Sequence, residues 1–225
     1  MSPRRVSGVL CRCASGAILS AVLLIPLRAP ALPDSPSELD AALRLTPDLV
    51  RGAETFQSCA ACHGADGAGV TDGSVPAIAG QHVAVLIKQI IDFRHDARLN
   101  IRMQHFVDNH HLAKAQDIAD VAAYASSLPL APLKDLGDPQ LAAHGAGVYA
   151  RSCATCHGAN GEGDARARVP RLAGQRPEYT ATQLHDAAEG RRLAMERDHA
   201  RIVARMDARD IAGIAVCLAR MGAPR

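Results

Sequence analysis

Apolar residues recur at the three-to-four-residue spacing of α-helices in six segments of the chain, and these segments form three pairs. The predicted helices cover residues 49–60, 83–93, 114–126, 141–154, 179–188 and 208–220. Glycine-rich loops are predicted over residues 66–73 and 160–164. No segment shows the strict apolar–polar alternation of a half-buried strand. The pattern therefore predicts an all-α protein.

The helices are paired because the chain contains an internal duplication. Adding 94 to a residue number aligns residues 58–99 with residues 152–193 without a gap, and a one-residue slip then pairs Asp117 with Asp210. A proline-containing stretch over 126–134 separates the copies and favours an extended connection. We therefore expect one domain over residues 41–127, a linker over 128–140 and a second domain over 141–225.

The first 31 residues have the features of an export signal. Arg4, Arg5 and Arg12 precede an apolar run over residues 17–25, and small residues lead up to Ala31. The alternative is a membrane anchor, but the run is well short of the ~20 residues that a spanning helix needs. We expect cleavage after Ala31, export to the periplasm and no stable membrane insertion, with peripheral membrane association left open.

Composition and charge narrow the function classes. Aromatic residues make up 3% of the chain and Trp is absent, so a buried flat macrocycle would add apolar surface that the side chains lack. Residues 32–127 carry 12 acidic and 7 basic residues, whereas residues 128–225 carry 11 acidic and 14 basic residues. The two halves, at −5 and +3, do not resemble a strongly basic nucleic-acid-binding protein, and we expect no nucleic-acid partner.

Each repeat contains one C-x-x-C-H motif, at residues 59–63 and 153–157. Two thiols one helical turn apart can form thioethers with the two vinyl groups of one haem, and the following histidine then lies below the iron. A redox dithiol or a zinc site could use one such cysteine pair, but two matched copies followed by His-Gly favour two haem c groups. The predicted residues are the thioether cysteines Cys59, Cys62, Cys153 and Cys156 and the proximal iron ligands His63 and His157.

The order of motifs in both repeats resembles dihaem cytochrome c4. The shared features are C-x-x-C-H-G, a glycine-rich loop, P-x-(I/L)-A-G-Q, an Arg-bearing turn and a D-I-A helix. The resemblance implies two tandem class I cytochrome c domains, related by a pseudo-twofold axis, that shuttle electrons in the periplasm. It also implies that the carbonyls of Pro76 and Pro170 accept hydrogen bonds from the proximal histidines.

The distal iron ligand is where the chain departs from this family, which usually uses Met. Met103 and Met195 do not match each other at the 94-residue offset, whereas His105 matches His199. We therefore expect bis-His ligation of both haems, His63 with His105 and His157 with His199. Ligation by Met103 and Met195 is the alternative. A second imidazole generally gives a lower potential than Met.

Two six-coordinate haems favour an electron carrier over an enzyme. The expected partners are redox proteins, namely a reductase and a terminal oxidase or reductase, and the opposite charges of the halves would orient the protein on them. The alternative function is a haem oxidoreductase, or its electron-transfer subunit, with a sulfur or peroxide substrate. Cys217 is expected to be a small buried apolar residue without a redox role.

Overall fold

The computed structural model describes residues 35–222, so the predicted signal over residues 1–31 lies outside the described range. Within that range the chain forms ten α-helices and no β-strand beyond one isolated bridge between Asp164 and Val169. The helices are α1 (Ser35–Arg44), α2 (Leu49–His63), α3 (Val83–Arg94), α4 (Ile101–Phe106), α5 (Ala115–Ser127), α6 (Pro139–Ser152), α7 (Ala154–His157), α8 (Pro177–Ala188), α9 (Arg197–Val203) and α10 (Ala208–Met221). The all-α prediction is confirmed. Among the described helices, none has the length and apolar character needed to cross a membrane.

The first and last helices of each repeat cross at a glycine. A Cβ atom on Gly52 in α2 would lie 2.3 Å from the carbonyl oxygen of Asp120 in α5, and one on Gly145 in α6 would lie 1.9 Å from that of Gly213 in α10. Both distances are far below van der Waals contact, so only glycine allows the backbones to come this close. The two crossings occur at corresponding positions of the repeats and show that both repeats adopt the same fold.

A buried carboxylate reinforces the crossing in the first repeat only. Asp120 accepts hydrogen bonds from the backbone of Asp48 (2.7 Å), Gln116 Nε2 (2.7 Å) and Arg51 Nε (2.9 Å). Burial raises the pKa of Asp120, but these donors outweigh it and leave the pKa below its ordinary value. The second repeat has Gly213 at the corresponding position, so this network distinguishes the two domains.

Helix α1 is an addition to the first domain, where it packs against α3 and α5. Its Glu38 is buried and pairs with the buried guanidinium of Arg94 and with His95 Nε2 at 2.8 Å. Arg94 also donates to the carbonyls of Val107 (2.7 Å) and Leu112 (2.6 Å). This cluster connects α1, α3 and the segment that follows α4.

The two repeats contact each other through a symmetric exchange of glutamines, and together they form one compact unit. Gln81 donates to the carbonyl of Arg171 and accepts from its N–H, both at 2.9 Å. Gln175 makes the same two bonds to Ala77, at 2.8 and 3.0 Å. Because both pairs match at the 94-residue offset, the interface has the expected pseudo-twofold relation.

Candidate functional site

Both proximal histidines stand at the last position of a helix. Helix α2 ends at His63 and α7 ends at His157, and each is followed by a glycine with φ of +81° that turns the chain away. In the second repeat the helix is interrupted at Cys153 (φ −122°, ψ −38°), which separates α6 from α7. The helix predicted over residues 141–154 is therefore divided at Cys153. His157 still ends a helix, as His63 does.

The histidine rings are buried and held by backbone carbonyls. His63 Nδ1 lies 2.9 Å from the carbonyl oxygen of Pro76, and His157 Nδ1 lies 3.1 Å from that of Pro170. Burial lowers the pKa of both histidines, and the proline carbonyls only partly offset this. A neutral ring that donates from Nδ1 keeps Nε2 free as a metal ligand.

The cysteine pairs fit thioether attachment better than the alternative thiol chemistries. No disulfide is present among the described cysteines, and burial raises the pKa of Cys59 and Cys153 to about 11 each. Reactive redox dithiols have lowered thiol pKa values instead. The two cysteine pairs also do not form a shared metal site. The group of three metal-ligating side chains that the described residues bring together contains no cysteine.

Apolar side chains surround both motifs in matching positions. Ile78 and Ile90 pack on the core of the first domain beside Cys59, and Leu172 and Leu184, at the same offset, pack on the core of the second beside Cys153. A cavity of about 490 Å³ opens beside Cys156 and is bounded by Val148 and Met206. Its size is in the usual range for a small-molecule or cofactor site.

Two partly buried arginines, Arg171 and Arg192, provide a test for an anionic cofactor. Arg171 Nε is buried and has no hydrogen-bond partner within the part of the chain that the structure describes. Burial, followed by repulsion from Arg98, lowers the pKa of Arg192 to about 10. Buried cationic groups need anionic partners, and the carboxylates of a haem propionate would supply them. The residues therefore fit a haem. Arg192 matches Arg98 in the Arg-bearing turn that both repeats share, whereas Arg171 matches Ala77, so the duplication did not point to Arg171.

In the second domain, the ring of His199 lies close to the ring of His157. The ring centroids of His157 and His199 lie 5.9 Å apart with an interplanar angle of 44°. Two imidazoles on opposite sides of one metal ion have centroids about 6 Å apart, since each metal–nitrogen bond is about 2 Å. Burial, and then the nearby charge of His157, lowers the pKa of His199. This pair has the spacing that bis-His ligation requires.

The first domain is arranged differently. His105 is exposed on α4, and its ring contacts are with Phe106 (5.2 Å between centroids) and His111 (4.8 Å). Met103, two residues before His105 in α4, is half-buried. It packs on the core of the first domain, as Cys59 does. The structure thus brings His199 to His157 but places His105 in a surface cluster.

Comparison with known proteins identifies the family of the chain. A family model for cytochrome c matches residues 49–129 and 142–213. The chain is 35% identical to cytochrome c4 of Azotobacter vinelandii over 162 residues, which cover 64% of this chain and 74% of that protein. It is 33% identical to the thiosulfate dehydrogenase electron acceptor of Stutzerimonas stutzeri, and the match covers 60% of this chain and 65% of that protein. The crystal structure of reduced cytochrome c4 from Pseudomonas stutzeri superposes with a TM-score of 0.69 at 30% identity and covers 77% of this chain and 98% of that one.

Proposed function

The chain belongs to the cytochrome c family as a dihaem, cytochrome c4-like electron carrier, and from this premise we propose that it moves electrons between periplasmic redox partners. Cys59 and Cys62 would attach one haem, and Cys153 and Cys156 the other. Each haem supplies one-electron redox chemistry at its iron. The export signal predicted over residues 1–31 supports the periplasmic location.

We propose unequal distal ligands for the two haems. His157 and His199 would form a bis-His pair in the second domain, and the 5.9 Å ring separation is the observation that carries this assignment. His63 would be paired with Met103 in the first domain, because Met103 packs on the same core cluster as Cys59 while His105 is exposed. This assignment keeps one half of the bis-His hypothesis and replaces the other half with its alternative.

The two distal ligands would set the direction of electron transfer between the haems. The imidazole of His199 favours the oxidised iron, whereas the thioether of Met103 favours the reduced iron. The second domain would therefore have the lower potential and accept the electron, and the first domain would deliver it. The net charges of +3 and −5 would direct the two ends toward partners of opposite charge.

The glutamine exchange would hold the two sites at a fixed separation. Pro76, which accepts from His63, is followed by Ala77, and Ala77 is bound by Gln175 of the other repeat. The same connection runs from Pro170 through Arg171 to Gln81. Two hydrogen bonds thus connect each proximal histidine to the opposite domain, and a change at the interface would act on both sites.

Spectra of the purified holoprotein and three single variants test the ligand assignment. His199→Ala should convert one haem from low spin to high spin, and Met103→Ala should do the same to the other haem. His105→Ala should leave both spectra unchanged. A change in one haem in His105→Ala, with none in Met103→Ala, would show that the first domain is also bis-His.

A second function is favoured by the similarity to a thiosulfate dehydrogenase electron acceptor. In this reading the chain is the electron-accepting partner of an enzyme that oxidises a sulfur compound. Stopped-flow mixing with such an enzyme and its substrate should then reduce the second-domain haem before the first. Rapid binding of carbon monoxide to the reduced protein would instead indicate an open iron position and an enzymatic role of its own.

A further inference from the structure

We propose that His105, Asp108 and His111 form a surface site for a divalent transition-metal ion. The proposal rests on the ligand assignment above, which leaves His105 free of the haem. One ligand atom from each of the three side chains lies within 4.8 Å of the others. No other group of three such residues comes together in the part of the chain that the structure describes.

The local backbone already holds these side chains in place. His105 is in α4, and the next turn is stabilised by Asp108, whose Oδ1 accepts from the N–H groups of His110 (2.9 Å) and His111 (3.1 Å). The N–H of Leu112 continues the turn by donating to the carbonyl of Asp108 at 2.9 Å. The three-residue spacing therefore projects the ligands from one side of consecutive turns, and little ordering is needed for binding.

One further contact prepares His111 for a metal ion. His111 Nδ1 lies 2.8 Å from Asp108 Oδ1, a separation that two ligands of one ion can have when each metal bond is about 2.0–2.1 Å. The ion would replace the proton between these two atoms, and the ring of His111 would then carry its proton on Nε2. Nδ1 of His111 and Oδ1 of Asp108 would thus both be ligands.

The donor set selects the class of ion. Two imidazoles and one carboxylate suit Zn²⁺, Ni²⁺ and Cu²⁺ and are poor for Mg²⁺ or Ca²⁺, which prefer oxygen ligands. Three protein ligands also leave positions open for water or for a group from a partner protein. The bound ion would link α4, which carries Met103, to the turn that follows it. Its positive charge would offset part of the negative charge of the first domain.

Calorimetric titration of the tag-free oxidised holoprotein with Zn²⁺ tests the site, since Zn²⁺ cannot exchange electrons with the haems. The wild type should bind one equivalent. His111→Ala should lose this binding, and Asp108→Asn should weaken it by at least about 10-fold, the lower bound for the loss of a partner outside the ligand set. His110→Ala is the matched control, because this exposed histidine adjoins the cluster without belonging to it, and it should bind Zn²⁺ like the wild type.

The haem spectra separate this proposal from the proposed ligation. His111→Ala and Asp108→Asn should keep both haem spectra while Zn²⁺ binding falls. Undiminished Zn²⁺ binding in His111→Ala, or no binding in the wild type, would overturn the metal site and leave the electron carrier intact. A His105→Ala variant that binds Zn²⁺ normally but changes one haem spectrum would overturn the place of His105 in the cluster.

Discussion

Replacing Gln175 with Ala should weaken the contact between the two domains by a predictable amount. The Gln175 side chain makes three hydrogen bonds, to the N–H and carbonyl of Ala77 (3.0 and 2.8 Å) and to the N–H of Arg176 (2.9 Å). At about 1 kcal/mol net for each bond, Gln175→Ala should lower the free energy of unfolding by about 3 kcal/mol. About 2 kcal/mol of this comes from the two bonds that cross the interface.

The symmetry of the interface supplies an internal check. Gln81 makes the equivalent three bonds, to Arg171 (2.9 Å each) and to the N–H of His82 (3.0 Å), so Gln81→Ala should cost about the same. Guanidinium unfolding of the holoprotein, followed through haem absorbance, measures both. Gln140→Ala removes an exposed glutamine and should change stability by less than about 0.5 kcal/mol.

Two outcomes would refute the reasoning. A cost of Gln175→Ala equal to that of the Gln140→Ala control would show that the bonds across the interface contribute nothing in solution, and that these residues do not fix the separation of the haems. A difference of more than a factor of two between the costs of Gln175→Ala and Gln81→Ala would contradict the pseudo-twofold interface.

Three further predictions concern the framework around the sites. Glu38→Ala leaves a buried arginine without its carboxylate and should cost about 3–5 kcal/mol in chemical unfolding, and a loss below 1 kcal/mol would contradict the buried pair. Gly145→Ala should destabilise by more than about 1 kcal/mol because its Cβ would collide with backbone at 1.9 Å. The control Gly147→Ala, where the nearest atom is the mobile end of an arginine at 3.3 Å, should stabilise by up to about 1 kcal/mol. Because the pKa of Asp120 is lower in the folded protein than its ordinary value of about 3.9, its stabilisation is complete above about pH 4 and is lost as the pH falls further. Asp120→Asn should therefore flatten acid unfolding below pH 4, and an unchanged acid profile would count against this.

The sequence was sufficient for the long helices because their signal is local and periodic. All six predicted segments correspond to α2, α3, α5, α6, α8 and α10. Helices α1, α4 and α9 were not predicted, and for α4 and α9 the reason is that six and seven residues are too few for an apolar period to emerge. The sequence did contain one usable signal for α4, an Asn100 side chain that caps its first turn.

The distal ligands show where sequence register stops being informative. His105 and His199 match at the 94-residue offset. A shift of one residue in the position of a short helix, however, turns its side chains to another face. In the structure the ring of His199 lies 5.9 Å from that of His157, whereas His105 joins Asp108 and His111 on the surface. The buried Nε of Arg171 could not be predicted from the sequence either, because its burial depends on a contact between domains.

Low-temperature electron paramagnetic resonance of the fully oxidised protein, combined with its far-red absorption, tests the central claim most directly. Unequal ligation predicts two distinct low-spin signals and a Met-to-iron charge-transfer band with the intensity of one haem. The band should survive in His199→Ala and vanish in Met103→Ala. A band with the intensity of two haems, or no band at all, would contradict the account.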